Sequence, residues 1–136
     1  MSILSETLAT VPNFLLHLVA SFLLLSAFAW AYTHWTPYRE IALIRAGNVA
    51  AACSLGGALL GFILALATVS AHTSNVLELT LWGLIAGLVQ AAVYALVRLF
   101  IPDLSKGIED GVTAQGVLLG LLSIGCGILT GACLTP

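Results

Sequence analysis

The chain has 136 residues, of which 60% are hydrophobic and 7% charged, and its net charge is −2. Soluble domains carry roughly 25% charged residues, so this composition, with a mean hydropathy of +1.11, makes the bilayer the solvent and argues against a separate soluble catalytic domain. The Lys and Arg residues form no cluster that could neutralise a run of phosphates, which argues against a nucleic-acid partner.

Four apolar runs follow one another, at about 12–35, 44–69, 76–101 and 111–134. Each is near the roughly 20 residues that a helix needs to cross hydrocarbon. Backbone amides in lipid must be satisfied within the segment, so runs of this length are predicted to be helices. The expected fold is all-α: a single polytopic membrane domain with four transmembrane helices.

The first run contains Ala27-Phe28-Ala29, which resembles a signal-peptide cleavage site, yet no Lys or Arg precedes Arg39. A signal peptide needs a basic segment ahead of its apolar core, so a retained span is expected. Trp30, Tyr32, Trp35 and Tyr38 gather at its end as an interfacial aromatic belt. Arg39 and Arg45 flank the first connection, Arg98 and Lys106 the third, and the SAHTSN connection carries no basic residue. Because positive residues stay in the cytoplasm, these four determine the topology. A multi-pass protein of the bacterial inner membrane with both termini on the outer, periplasmic side is expected.

The second and fourth runs echo each other. A shift of 64 positions lays Ile44, Gly47, Ala50, Leu55, Gly56 and Gly61 on Ile108, Gly111, Ala114, Leu119, Gly120 and Gly125. This predicts two parallel two-helix repeats, at about 12–70 and 76–134. Along the second span Gly47, Ala51, Ser54, Ala58 and Gly61 form a face of small residues, as do Gly116, Gly120, Ser123 and Gly127 along the fourth. Lipid supplies no hydrophobic drive between helices, so close backbone approach across small residues is how such helices pair. These two spans are expected to form the packed centre. The stripes are not at equivalent positions under the shift, so each is expected to meet a different neighbour. Small-x-x-x-small pairs exceed what one four-helix unit needs, which predicts a homo-oligomer.

Polar residues at membrane depth supply the candidate site. Gln90, Tyr94 and Arg98 follow one another at helical spacing along the third span, and Asn48 and Gln115 sit near the same end. They are either interhelical hydrogen bonds, worth about 0.6 kcal/mol each, or the lining of a polar pore. Toward the outer side His17 and Glu78 form a candidate carboxylate–imidazole pair. No carboxylate or Lys is expected in the middle of any span, where ion sites place one.

No nucleophile-elbow, zinc-protease or P-loop motif occurs, and neither Ser54 nor Ser123 has a His or Asp partner at its depth, so no enzymatic activity is expected. The three cysteines form no Cys-x-x-Cys pair, and no metal or cofactor is implied.

The segment IRAGNVAAACSLGGALLG, the LWGLIAGLVQ span and a closing helix that begins at an Ile-x-x-Gly turn carry a resemblance across nearly the whole chain. The sequence resembles a family of small bacterial inner-membrane proteins of unknown function exemplified by YjfL. Members keep Gly-Asn at the start of both repeats; Gly47-Asn48 matches, whereas Gly111 is followed by Val112. The resemblance implies no established activity, and implies a setting of membrane stress and envelope maintenance. The function expected is a non-enzymatic homo-oligomeric scaffold, with a cytoplasmic membrane-stress partner on the TPYREIALIR and PDLSKGIED connections. The alternative is an ion channel or a transporter of small solutes or polyamines, with its pore between repeats or protomers.

Overall fold

The structure, a computed structural model, describes residues 2–73 and 75–134; Ser74, part of the SAHTSN connection, lies outside the described residues. Among the described residues six helices follow one another: α1 (Ile3–Trp35), α2 (Glu40–Arg45), α3 (Val49–His72), α4 (Val76–Phe100), α5 (Leu104–Glu109) and α6 (Thr113–Leu134). Four of them, α1, α3, α4 and α6, are long and apolar enough to cross a membrane. The all-α, four-span architecture is therefore as composition requires.

The spans differ from the apolar runs at their starts. Helix α1 begins at Ile3 rather than near residue 12, because Ser2 caps it by accepting from the Ser5 N–H at 3.2 Å. Pro12 is accommodated inside the helix. The second and fourth spans begin later than expected because each is preceded by a separate short helix and a glycine turn.

One motif ends both short helices. Gly47 and Gly111 have φ of +91° and +79°, the left-handed region that L side chains avoid. At the first, the Asn48 N–H reaches back to the Leu43 carbonyl (2.9 Å) and the Gly47 N–H to Ile44 (3.0 Å). At the second, Val112 reaches Gly107 (2.8 Å) and Gly111 reaches Ile108 (3.1 Å). Both are glycine-terminated Schellman motifs, and the hydrogen bonds correspond under the 64-residue shift. The Ile-x-x-Gly echo is thus a stop signal for one helix and a corner leading into the next.

Gly47 consequently has no part in helix packing, contrary to the expectation from spacing: it lies outside α3, and a Cβ there would meet nothing within 4 Å. The other small residues do pack. Helices α3 and α6 share by far the most extensive contact in the molecule, and they run parallel. A Cβ at Gly116 would strike the Ala50 backbone, one at Gly57 the Gly120 backbone, one at Gly120 the Cys53 carbonyl and one at Gly127 the Gly61 backbone. The two stripes therefore meet each other, not different neighbours. Ala50 with Gly116 and Gly61 with Gly127 are 66 positions apart, Gly57 with Gly120 and Thr68 with Gly131 are 63 apart. These offsets bracket the repeat of 64, as expected where two parallel copies face each other across an approximate two-fold axis.

Helix α4 packs on both α3 and α6, whereas α1 is peripheral, held mainly by Phe28, whose ring stacks on Phe62 at 4.5 Å, and by Tyr32.

Candidate functional site

The chain folds back at the end of α1. Thr36 caps that helix through its backbone N–H to Tyr32 (3.1 Å), Pro37 follows, and α2 starts at Glu40. This turn directs Tyr38 and Glu40 inward, while Arg39 and Arg45 stay exposed. Arg98 and Lys106 are exposed at the same end of the bundle. Beneath them lies an aromatic cluster centred on Tyr94. Trp35 stands edge-on to it at 5.2 Å, Tyr32 edge-on at 6.2 Å, and Tyr38 is tilted at 6.5 Å. The Tyr94 hydroxyl is hydrogen-bonded to Ser105, so α5 closes the cluster from the other repeat.

Glu40 is the unexpected member. Its side chain is 1% exposed. Neither carboxylate oxygen has a partner in hydrogen-bonding geometry, and the buried Tyr32 and Tyr38 hydroxyls likewise have none. Burial raises the pKa of Glu40 from its ordinary 4.5 to about 7; the nearby Thr36 hydroxyl works against this without reaching hydrogen-bonding geometry. Burial first, and then the charge of Glu40, also push the Tyr38 phenol upward, which keeps it protonated. A carboxyl in this setting changes protonation near neutrality. Sequence reasoning missed it because Glu40 sits in a connection beside two arginines, where a carboxylate is ordinarily solvated. The one signal was its place immediately after the aromatic belt.

The expected polar seam is divided among separate contacts. Gln90 is buried where three helices meet: its amide donates to the Ser123 carbonyl at 3.2 Å, and the missing side chain of Gly61 makes room for it. Asn48 caps α3, accepting from the Ala51 N–H at 2.9 Å, and its amide donates to the carbonyls of Ile108 (2.8 Å) and Glu109 (3.2 Å). It therefore ties the corner of the first repeat to the end of α5 in the second. Val112, at the equivalent position, has no polar side chain with which to return the bond. Gln115 lies against Gly107 of the same short helix. Asn48 and Gln115 thus meet at α5, Tyr94 belongs to the aromatic cluster, and Arg98 faces outward.

His17 and Glu78 are not brought together. The His17 ring bonds the Asn13 carbonyl one turn back (3.0 Å) and faces Ser70 and His72 on α3, whereas the exposed Glu78 accepts from the Thr73 hydroxyl at 3.0 Å. Local hydrogen bonds outcompete a pair across helices. Among the described residues no group of three or more His, Cys, Asp or Glu side chains could hold a metal.

A groove of about 690 Å³ runs between α1 and α4, lined by Phe28, Tyr32, Trp35, Gly83, Leu84 and Gly87 among others. Trp35 also lines a neighbouring pocket of about 330 Å³ with Tyr94 and Arg98.

These features define a helical membrane protein of four spans, built from two parallel repeats around a glycine-rich helix pair. The chain belongs to the family described as Domain of Unknown Function (DUF350), whose pattern it matches over residues 5–134. It is 35% identical over 108 residues to the UPF0719 inner membrane protein YjfL of Escherichia coli (strain K12), covering 79% of this chain and 82% of that protein. The same protein from Escherichia coli O157:H7 matches to the same extent. No solved structure matches.

Proposed function

We propose that the protein is a non-enzymatic, homo-oligomeric component of the inner membrane that acts as an envelope-stress or membrane scaffold, with its arginine-bearing end in the cytoplasm. The observation that carries the oligomer is α1. Its 33 residues extend for about 50 Å, against a hydrocarbon core of roughly 30 Å. Only 11% of its most apolar stretch is buried, compared with 56% for that of α3. Ile3 and Leu8, at 84% and 60% exposed, extend an apolar surface that its own chain does not cover. A second copy would cover it, where tilting alone would have to absorb the excess length. The scaffold role is supported by the use of Gln90, Asn48 and Gln115, all of which lie in contacts between helices. The exposed Arg39, Arg45 and Lys106 on and beside α2 and α5 offer a surface for a cytoplasmic membrane-stress partner. Intact mass measurement in a mild detergent tests the oligomer: a defined multimer is expected, and monomers alone overturn it.

One observation favours a second reading, an ion channel or a transporter of small solutes such as polyamines. A buried carboxyl that titrates near neutrality is the kind of group such proteins use. The backbone contact between α3 and α6 leaves no room for a passage between those two helices, so the path would run elsewhere between the repeats or between protomers. Flux into liposomes, lost in Glu40→Gln, is the expected result on this reading; equal permeability of loaded and empty liposomes would dismiss it.

A further inference from the structure

The α1–α4 groove is lined by apolar and aromatic residues and adjoins, at Trp35, a separate pocket that holds Arg98, and its length is informative. It runs along α1 from Leu24 to Trp35. Those 11 steps span about 16 Å, half of the roughly 30 Å hydrocarbon core and hence one leaflet. Two glycines on α4 line the groove and let α1 side chains approach closely: a Cβ at Gly87 would meet the Phe28 ring at 3.4 Å, and one at Gly83 would meet Leu24 at 3.0 Å. At the interfacial end Trp35 is shared with the pocket that holds Arg98. Arg98 is exposed, and no carboxylate lines that pocket with it. The Tyr94 hydroxyl beside it is already bonded to Ser105. A site of this kind offers an apolar slot one leaflet long, an amphipathic indole at the headgroup level and an unneutralised guanidinium above it.

We infer that the α1–α4 groove binds one glycerophospholipid of the bilayer, with an acyl chain along Phe28, Gly83 and Gly87 and the phosphate on Arg98. A guanidinium forms two parallel hydrogen bonds to a phosphate oxygen pair, which gives the headgroup a fixed position that surrounding lipid lacks. A helix from a second copy fits less well. It would be about 10 Å across, would need a slot running through both leaflets, and would leave Arg98 without an anion. The site is independent of the oligomer proposed above, since both walls come from one chain.

The test is intact mass measurement of the purified full chain after exhaustive exchange into mild detergent, followed by reloading with dioleoylphosphatidylglycerol or dioleoylphosphatidylethanolamine. One phospholipid per chain is expected to survive exchange. Arg98→Gln should weaken reloading about tenfold, corresponding to the loss of about one charge-assisted hydrogen bond. Gly87→Leu, which fills the slot, should abolish retention, whereas Arg45→Gln, an exposed arginine at the same end but away from the groove, should bind as the wild type does. Because Arg98 is exposed, its substitution leaves the fold intact even if Gly87→Leu disturbs it. The inference is overturned if the wild type retains no lipid, if Arg98→Gln and Arg45→Gln bind alike, or if cysteines placed at the exposed groove residues Leu84 and Trp30 cross-link between copies, which would put a second chain in the groove.

Discussion

Glu40 offers the sharpest quantitative consequence. Its carboxyl titrates at about 7 in the folded protein and at 4.5 when unburied. The folded state therefore holds the proton more tightly than the unfolded state. Stability is fully present below pH 4.5, declines as pH rises between 4.5 and about 7, and stays at its lower level above. Each tenfold change in proton affinity is worth about 1.4 kcal/mol, so the loss across this window is about 3 kcal/mol. Glu40→Gln keeps the shape, removes the charge and should abolish that part of the pH dependence. The assay is unfolding of wild type and variant in mild detergent, by heat or titrated denaturant, at closely spaced pH values from 4 to 8. The variant should match the wild type near pH 4 and exceed it by about 3 kcal/mol near pH 8. A difference between the two that does not change with pH would refute the claim that a buried, chargeable Glu40 sits in the aromatic cluster.

The helix interface makes further predictions. Gly120→Leu or Gly127→Leu should destabilise the protein severely, since a first side-chain atom at either position already meets backbone of α3; Gly56→Leu, where nothing lies within 4 Å, should be nearly neutral, and thermal unfolding in detergent distinguishes them. Gly47→Ala and Gly111→Ala should each cost about 1 kcal/mol because both positions are left-handed. Asn48→Ala removes a helix cap worth about 1 kcal/mol together with two bonds to α5. Hydrogen exchange should accordingly accelerate at the start of α3 and in α5 together. Gln90→Leu should cost less than about 2 kcal/mol, measured by the same unfolding assay, because only one of its polar atoms is bonded.

The four spans and the glycine-rich core were legible because lipid imposes two strong rules, internal satisfaction of the backbone and close approach across small residues. Gly57, Gly61, Gly116, Gly120 and Gly127 obey the second directly. The short helices α2 and α5 were hidden because each has six residues inside a connection that carries charged side chains, and what separates each from the following span is a glycine with positive φ, Gly47 or Gly111. A different turn, the one between Thr36 and Glu40, explains why the site was missed. Whether Glu40 is solvated or buried depends on the direction in which the chain leaves Thr36, which the pattern of side chains does not encode. His17 and Glu78 failed as a pair for the opposite reason: matching depth was legible, but the Asn13 carbonyl for His17 and the Thr73 hydroxyl for Glu78 are nearer partners.

The central functional claim is that copies of this chain associate through the uncovered length of α1 while α3 and α6 stay paired within each protomer. Single-particle imaging in lipid nanodiscs, at a resolution that resolves individual helices, tests it most directly. The account predicts a closed homo-oligomer in which α1 lies against a neighbouring copy and Gly57 faces Gly120 of the same chain. Isolated monomers with α1 surrounded only by lipid, or α3 paired with the α6 of another copy, would contradict it.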